Sequence, residues 1–268
     1  MLTNPRSDRV RSVHGLGRRP VRERTGRFLV EGPQGVREAV RYAADRVVDL
    51  YVTSTAAQRY ALDIVQPATA AGLWVHEVSD EVLAAMSDAD APQGILAVVT
   101  QSQTTLEEVL AQGPRRLILL THVRDPGNAG TVIRGADAAG FDAVLVSDSS
   151  VDVNSPKVIR STAGSTFHLP VVAGLDIDAT MAQLASHGIW TVAADGSGET
   201  LLADADLERP HCWVMGNEAW GLPEAVQAAC DEVVRIPIYG KAESLNLAMA
   251  ATLCVYASAG ARLGRRST

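Results

Sequence analysis

Cysteine is scarce in this chain of 268 residues. The three that occur, Cys212, Cys230 and Cys254, are an odd number with no C-x-x-C spacing and no clustered histidines. This pattern disfavours a disulfide framework and structural zinc, so we expect a reducing compartment and no bound metal. The first residues also lack the apolar core of a secretory signal, so a cytoplasmic location is the default expectation.

Long, strongly apolar runs are missing as well. Residues 244–261 carry no charge, but Asn246, Thr252, Ser258 and several alanines make them too weakly apolar to span a bilayer. We expect no membrane association, and a last helix that is buried on all sides, in the core or against a second subunit.

A dinucleotide fingerprint, G-x-G-x-x-G after a strand, is also absent. Its absence removes the main support for a nicotinamide or flavin oxidoreductase.

Positive charge is concentrated near the start of the chain. The net charge is −7, yet residues 1–27 carry eight arginines against Asp8 and Glu23, a formal sum of +6. A basic arm on an acidic body suits phosphate binding. A solvated tail in an arginine-rich proteome explains the same composition equally well.

The apolar content of 47% is ample for a packed core, and strand-like and helix-like segments alternate. This predicts an α/β fold, with a mostly parallel open sheet in the C-terminal part and a small N-terminal α/β domain. The predicted divisions are a basic arm (1–27), a small α/β domain (28–100), a linker (101–114) and a larger C-terminal domain (115–268). The strands predicted for the C-terminal domain are Arg116 to Thr121, Ala143 to Ser147, His168 to Val172, Ile189 to Ala194, Cys212 to Met215 and Val233 to Pro237.

Three segments place glycine, asparagine or an ionisable side chain where an apolar strand is predicted to end. In the first, the turn formers Asp125-Pro126-Gly127-Asn128 are followed two helical turns later by Arg134. A tight strand-to-helix connection, with Asn128 as the helix cap, explains the loop. It does not explain Arg134, because an arginine on an otherwise apolar helix is costly to bury without an anionic partner.

The second segment, Gly216-Asn217-Glu218, follows the strand ending at Met215. Glycine allows close approach of a ligand, and Glu218 presents a carboxylate. Charge complementarity with a helix N-terminus explains Glu218 equally well.

The third segment runs from Ile236-Pro237-Ile238 to Ser244-Leu245-Asn246, at the start of the last helix. Ser244 can be interpreted as the cap of that helix. Asn246 needs hydrogen-bond partners if the helix is buried. Such residues at the strand ends of an open α/β sheet are the usual material of a ligand crevice.

In this order the segments resemble the signature motifs of the SpoU/TrmH family of RNA ribose 2′-O-methyltransferases, in the SPOUT superfamily. Residues 28–100 look like the substrate-binding domain, related to a ribosomal-protein fold, that many members carry. The resemblance implies a C-terminal trefoil knot, a homodimer whose interface completes the active site, and S-adenosylmethionine as cofactor. The implied substrate is RNA, most readily 23S ribosomal RNA.

The resemblance also assigns roles to individual residues. The catalytic positions fall on Asn128, Arg134, Glu218, Ser244 and Asn246. The cofactor-binding positions fall on Ala194, Gly216, Asn217, Ile236, Ile238 and Leu245. Arg134 is the family's proposed base, but a guanidinium with a pKa above about 12 rarely gives up its proton. Our hypothesis is that Arg134 holds the adjacent phosphate and lowers the cost of forming the 2′-alkoxide.

Two alternatives remain open beside this interpretation. One is a non-catalytic RNA-binding or ribosome-assembly factor built on the same fold. The other is a methyltransferase that acts on transfer RNA, although the two-domain layout fits ribosomal RNA better.

Overall fold

The computed structural model describes residues 1–263. Its strands are β1 (Arg27–Glu31), β2 (Val47–Thr53), β3 (Val75–Val78), β4 (Ile95–Thr100), β5 (Arg116–Leu120), β6 (Ala143–Ser147), β7 (Val171–Leu175), β8 (Trp190–Ala194), β9 (Thr200–Leu201), β10 (His211–Met215) and β11 (Glu232–Arg235). Its helices are α1 (Asp8–Gly15), α2 (Arg19–Thr25), α3 (Pro33–Tyr42), α4 (Ser54–Arg59), α5 (Gln66–Ala70), α6 (Asp80–Met86), α7 (Leu106–Ala111), α8 (Pro126–Ala138), α9 (Pro156–Thr162), α10 (Ile177–Ser186), α11 (Glu224–Ala229) and α12 (Leu247–Leu263). Short 3₁₀ turns at Ala44–Arg46 and Ser165–Phe167 and a π-helical turn at Ala61–Val65 are also present.

The first of two compact units comprises residues 1–102 and 152–168. Its four-stranded sheet has the order β1-β4-β2-β3; β4 is antiparallel to β1 and β2, and β2 is parallel to β3. Side chains alternate in direction along a strand, so Ile95 and Ala97 of β4 enter one apolar core while Leu96 and Val98 enter another. The sheet is therefore covered on both faces.

This unit differs from the predicted divisions in two places. Residues 1–27, predicted as a basic arm, form α1 and α2, and Val10 and Val13 of α1 are buried in one of the cores. The helical spacing of these valines among the arginines accounts for their burial. Residues 152–168, which we assigned to the larger C-terminal domain, belong to the first unit, where α9 contacts β1.

A buried ion pair fixes α2 in the first unit. The side chain of Arg22 is 4% exposed; its Nη2 lies 2.5 Å from Oδ2 of Asp152, and its Nη1 donates to the carbonyls of Leu16 and Gly17 at 2.8 Å. An Arg22→Met variant is expected to lose about 3–5 kcal/mol of unfolding free energy, because Asp152 is left without its counter-charge. Urea denaturation followed by circular dichroism measures this loss.

The matched control for this prediction is Arg19→Met in the same helix. Arg19 pairs with Glu23 on the surface, where both side chains are more than half exposed. Solvent screening limits such a pair to about 1 kcal/mol or less. Equal losses in the two variants would contradict the role assigned to Arg22.

The second unit comprises residues 103–151 and the chain from residue 169 onward. It contains a seven-stranded parallel sheet with the order β7-β6-β5-β10-β8-β11-β9. The chain builds β5, β6 and β7 towards one edge, returns to place β8 on the other side, and then inserts β10 between β5 and β8. The reversal opens a crevice at the carboxyl ends of the central strands. The predicted α/β fold with a mostly parallel sheet is confirmed.

Several predicted boundaries shift for local reasons. The strand predicted from His168 begins at Val171, after Pro170, which has no N–H to donate to a ladder. The strand predicted to end at Pro237 ends at Arg235. In the first unit, the π-helical turn separates α4 from α5, and Pro67 lies in the first turn of α5, where proline is tolerated. The two-residue β9 was not predicted.

In a single chain, one side of helix α12 is buried and the other is exposed, so burial in the core is only partial and burial against a second subunit stays a prediction. Ala251 and Cys254 are buried on the side that contacts α8 and β10. Met249, Leu253 and Tyr256 are 60%, 46% and 52% exposed, at a spacing that places them on one face. No helix within residues 1–263 has the length and apolarity needed to cross a membrane.

A buried histidine makes the second unit sensitive to pH. Nδ1 of His211 lies 2.8 Å from the carbonyl of Arg209 and must donate to it, so Nε2 accepts from the Ser258 hydroxyl 2.7 Å away. Burial lowers the pKa of His211, so the unfolded chain binds this proton more readily than the folded chain. Stability is therefore retained above about pH 6.5 and is lost as the pH falls below it.

This pH dependence can be measured with a His211→Asn variant. The variant is expected to be less stable at pH 7.5, because hydrogen bonds are lost, but to show a smaller further decline between pH 7.5 and pH 5.5. Thermal melts of both proteins at the two pH values provide the comparison. Parallel declines would show that His211 is not the titrating group.

Candidate active site

The residues singled out in the sequence lie at or after the carboxyl ends of β5, β8, β10 and β11 in the second unit; Asn128 and Arg134 belong to α8, Ala194 ends β8, and the others lie on loops. The loop after β10 contacts itself closely. A Cβ atom at Gly216 would overlap the carbonyl group of Gly221 and lie 2.5 Å from the nitrogen of Leu222. Asn217 and Gly221 exchange backbone hydrogen bonds of 2.8 and 3.0 Å, and Gly221 has a φ of 72°. Position 216 therefore has no space for a side chain, and position 221 needs a left-handed backbone.

Asn217 joins this loop to the loop after β5. Its side chain is buried, and Nδ2 donates to the carbonyl of His122 at 2.7 Å, while Oδ1 accepts from the N–H of Ala219 at 2.8 Å. Asn217 thus shapes the crevice chiefly by fixing two backbone segments.

A cleft of about 390 Å³ opens between these loops and the loop before α12. The structure places all six predicted cofactor-binding residues in its lining: Ala194, Gly216, Asn217, Ile236, Ile238 and Leu245. Glu218 and Ser244, predicted as catalytic, also line it. The lining combines apolar side chains, such as those of Ile236 and Leu245, with the tightly folded backbone between Gly216 and Gly221.

A second, more open cleft adjoins the first, and Glu218 lines both. Here three of the predicted catalytic side chains form a chain of hydrogen bonds. Nδ2 of Asn246 donates to Oδ1 of Asn128 at 3.0 Å, and Nδ2 of Asn128 donates to Oε1 of Glu218 at 3.2 Å. The fold therefore brings Asn128 into contact with Glu218, which is 90 positions away in sequence, and with Asn246, which is 118 positions away.

The carboxylate of Glu218 also accepts two backbone hydrogen bonds, from the N–H groups of Arg124 and Asp125 at 3.3 and 3.2 Å. These donors lie at the entrance to α8, where the positive end of the helix dipole favours a negative charge. Helix-end complementarity, proposed as one explanation of Glu218, is thus present, but the helix is α8 and not the one that follows Glu218 in sequence.

Two capping assignments from the sequence are wrong. Helix α8 is capped by Asp125, whose Oδ1 accepts from the N–H of Asn128 at 2.7 Å, so the Asn128 side chain is available to the crevice. Helix α12 is capped by Asn246, whose Oδ1 accepts from the N–H groups of Ala248 and Met249. Because Asn246 serves as the cap, Ser244 is not required for it.

Arg134 is the predicted catalytic residue that the structure keeps apart from the others. It is exposed on α8, and it lines neither cleft. The expectation that it needs an anionic partner to offset burial is therefore wrong for a single chain. Its guanidinium makes no hydrogen bond or ion pair within residues 1–261, the range over which side chains are described.

Sequence reasoning missed Asp195, Arg124 and Trp220. Asp195 directly follows β8 and lines the first cleft. Arg124 and Trp220 line the second. Asp195 could have been found by the rule that identified the motifs, since it is a polar residue at the end of an apolar strand.

The first cleft fits a nucleoside-containing cofactor such as S-adenosylmethionine. Its apolar residues suit an adenine ring, its close backbone suits hydrogen bonds to the ring edge, and Asp195 can accept from ribose hydroxyls. A cleft of this kind beside a polar network, at the topological switch point of a parallel sheet, defines an α/β enzyme with a cofactor site and a separate substrate site.

Comparison with known proteins identifies the family. The model of the SpoU rRNA Methylase family matches residues 115–256, and the model of the MRM3-like substrate binding domain matches residues 7–97. The chain belongs to the SpoU rRNA Methylase family. It is an RNA 2′-O-methyltransferase of that family, as predicted, and the predicted cofactor, S-adenosylmethionine, is confirmed at the level of the family.

Relatives match over nearly the whole chain. A protein of Bordetella pertussis named 23S rRNA (guanosine-2'-O-)-methyltransferase RlmB is 32% identical over 241 residues, covering 88% of this chain and 98% of the relative. A 23S rRNA (uridine(2479)-2'-O)-methyltransferase of Streptomyces viridochromogenes is 32% identical, covering 94% and 89%. The crystal structure of an AdoMet-bound rRNA methyltransferase from Sinorhizobium meliloti superimposes with a TM-score of 0.84 at 27% identity, covering 96% of each chain.

Proposed function

We propose that this protein transfers the methyl group of S-adenosylmethionine to a ribose 2′-hydroxyl of 23S ribosomal RNA, in the cytoplasm. The observation that carries the proposal is the Asn128–Glu218–Asn246 network, which lies where a backbone-lined cleft meets an open polar cleft. The similarity to relatives named for guanosine and uridine 2′-O-methylation of 23S rRNA supports the substrate class.

The residues divide the work between two clefts. Ala194, Gly216, Ile236, Ile238 and Leu245 would hold the cofactor, which supplies an electrophilic methyl group when bound. A ribose 2′-hydroxyl is a poor nucleophile, so it must be oriented and its developing charge stabilised.

Positioning of the ribose is the role we assign to the amide side chains. Asn128 and Asn246 are held by each other and by Glu218, so their remaining donors and acceptors keep a fixed direction without reorganisation when substrate binds. The Ser244 hydroxyl lies in the adjoining cleft and can bond to either ligand. Arg134 would bind the phosphate next to the reacting ribose and stabilise the alkoxide.

The exposure of Arg134 supports a homodimer with composite sites. A guanidinium that lines neither cleft of its own chain can act in the active site of a second copy. The exposed apolar residues Met249, Leu253 and Tyr256 of α12 provide a surface that a second subunit would cover. We extend the proposal to the trefoil knot, since β10 is inserted between β5 and β8 and its loop is tied to the loop after β5.

The test is methyl transfer from labelled S-adenosylmethionine to 23S rRNA and, separately, to transfer RNA from a strain that lacks the gene. We expect 2′-O-methyl nucleotides in the 23S rRNA, and a loss of at least about 100-fold in a Glu218→Gln variant, which keeps the shape but removes the charge. Glu224→Gln, an exposed carboxylate on α11, is the matched control. Methylation of transfer RNA alone would reject the ribosomal substrate. No transfer to either RNA would favour a non-catalytic RNA-binding factor.

A further inference from the structure

A large aromatic side chain stands exposed beside the reaction centre. Trp220 is 54% exposed and lines the open cleft together with Asn128, Glu218 and Asn246. It is not among the residues lining the cofactor cleft, although its neighbours Ala219 and Gly221 are. The indole therefore belongs to the substrate side of the site. So large an apolar ring offers a face that a planar ligand can cover, with a gain from the buried area.

The support of this indole is rigid. The imidazole of His122 lies against it, with ring centroids 5.3 Å apart and a tilt of 59°. His122 has a left-handed φ of 55°, its N–H donates to Ser147 at 3.1 Å, and its carbonyl accepts from Asn217 at 2.7 Å. A strained backbone at a non-glycine residue persists only where the surrounding structure holds it in place. These hydrogen bonds therefore fix the position of the imidazole that packs against Trp220.

The surroundings of Trp220 indicate the chemistry of that ligand. The exposed side chain of Arg124 lines the same cleft and can meet a phosphate, and the neighbouring amides and carboxylate of Asn128, Asn246 and Glu218 suit sugar hydroxyls. Apart from Ala219, the residues that line the cleft with Trp220 carry polar or charged side chains, so the cleft offers no apolar patch to a protein surface. A nucleotide combines an aromatic ring, a sugar and a phosphate in the required order.

We propose that Trp220 is a positioning residue on which a nucleobase of the RNA stacks, at or next to the methylated ribose. This inference rests on the proposed function and adds a substrate contact to it. Stacking would fix the nucleotide so that its 2′-hydroxyl meets the Asn128–Glu218–Asn246 network. Every base has a π face, so the platform tolerates any base and fixes position without reading sequence.

The experiment compares Trp220→Ala, Trp220→Leu and Trp220→Phe in steady-state methylation of 23S rRNA from the strain lacking the gene. Trp220→Ala is expected to raise the KM for RNA by about 5- to 100-fold, with cofactor affinity unchanged. Trp220→Phe should restore the KM to within about threefold of the natural protein, because it keeps a ring, whereas Trp220→Leu should not. Indole fluorescence should also be quenched on adding RNA to the natural protein, and to a smaller extent in Trp220→Phe, which keeps the other three tryptophans.

Three results would overturn the inference while leaving the proposed function intact. In the first, the natural protein methylates RNA and all three variants keep its KM. In the second, Trp220→Leu performs as well as Trp220→Phe, which would assign the side chain to apolar packing. A change in sedimentation of Trp220→Ala with an unchanged KM would likewise reject stacking and assign Trp220 to a subunit contact. If the natural protein transfers no methyl group to any RNA, the proposed function fails, and this inference fails with it.

Discussion

A Gly216→Ala variant is expected to lose cofactor binding by roughly 100-fold, equivalent to about 3 kcal/mol. The added methyl group would occupy the space of the Gly221 carbonyl group and crowd the nitrogen of Leu222. Both are backbone atoms, held by the paired hydrogen bonds between Asn217 and Gly221, so they cannot rotate away as a side chain would. The loop must open, which displaces the wall of the cofactor cleft and Glu218 with it.

Isothermal titration of the variant with S-adenosylmethionine measures this effect, and Gly196→Ala is the matched control. Gly196 lines the same cleft, its φ is not positive, and a Cβ atom there would meet nothing within 4 Å. We expect its affinity to stay within about threefold of the natural protein. Similar losses in both variants would mean that the cleft is sensitive to any added methyl group, and the close approach at Gly216 would lose its assigned role.

The contrast between these glycines shows what the sequence could predict about the site. Gly216 follows a five-residue apolar strand, and strand ends in a parallel sheet converge, so the crevice could be predicted from the period and order of the elements. The need for glycine arises from Gly221, five residues later. That contact depends on how the loop folds back, which no local pattern encodes.

Helix α12 and the start of the chain show the opposite case. The charge-free residues of α12 predicted burial in the core or against a second subunit, and in a single chain one face contacts α8 and β10 while the other is exposed. Composition alone could not decide between these two kinds of burial. The arginines of residues 1–27 suggested a solvated arm, yet helical spacing of a few valines was enough to bury one side of α1. In both cases the periodicity of the apolar residues was more informative than the total charge.

Capping was also difficult to assign from sequence, because several residues near each helix start can cap. Asp125 and Asn128 both precede or begin α8, and Ser244 and Asn246 both precede α12. The structure uses Asp125 and Asn246 as caps and directs Asn128 into the crevice. Asn246 does both, since its Oδ1 caps α12 while its Nδ2 reaches Asn128. Dual use of one amide is invisible to propensity rules, which assign one role to each position.

Removal of the Arg134 guanidinium is expected to lower kcat by at least about 100-fold, because charge stabilisation of the alkoxide is lost. Arg134→Ala should still bind S-adenosylmethionine with normal affinity, since Arg134 does not line the cofactor cleft. Arg134→Lys should recover only part of the activity, because lysine keeps the charge but loses the planar fork that holds a phosphate in two bonds. Full turnover by Arg134→Lys would reject that part of the hypothesis.

Mixed dimers decide whether Arg134 acts in the second copy of the chain. Subunits carrying Arg134→Ala and Glu218→Gln are each expected to be inactive alone. If the site is shared, a dimer containing one of each, isolated through two different affinity tags, has one site with both natural residues and should regain about half the natural activity. If Arg134 serves its own chain, neither site is complete and the mixed dimer stays inactive. The control is a mixed dimer of an Arg134→Ala subunit and a subunit that carries both substitutions. It contains no complete site, whether Arg134 acts in its own chain or in the other chain. Recovery of methyl transfer in the first mixed dimer, and none in the control dimer, would explain why Arg134 is exposed on α8, outside both clefts of its own chain.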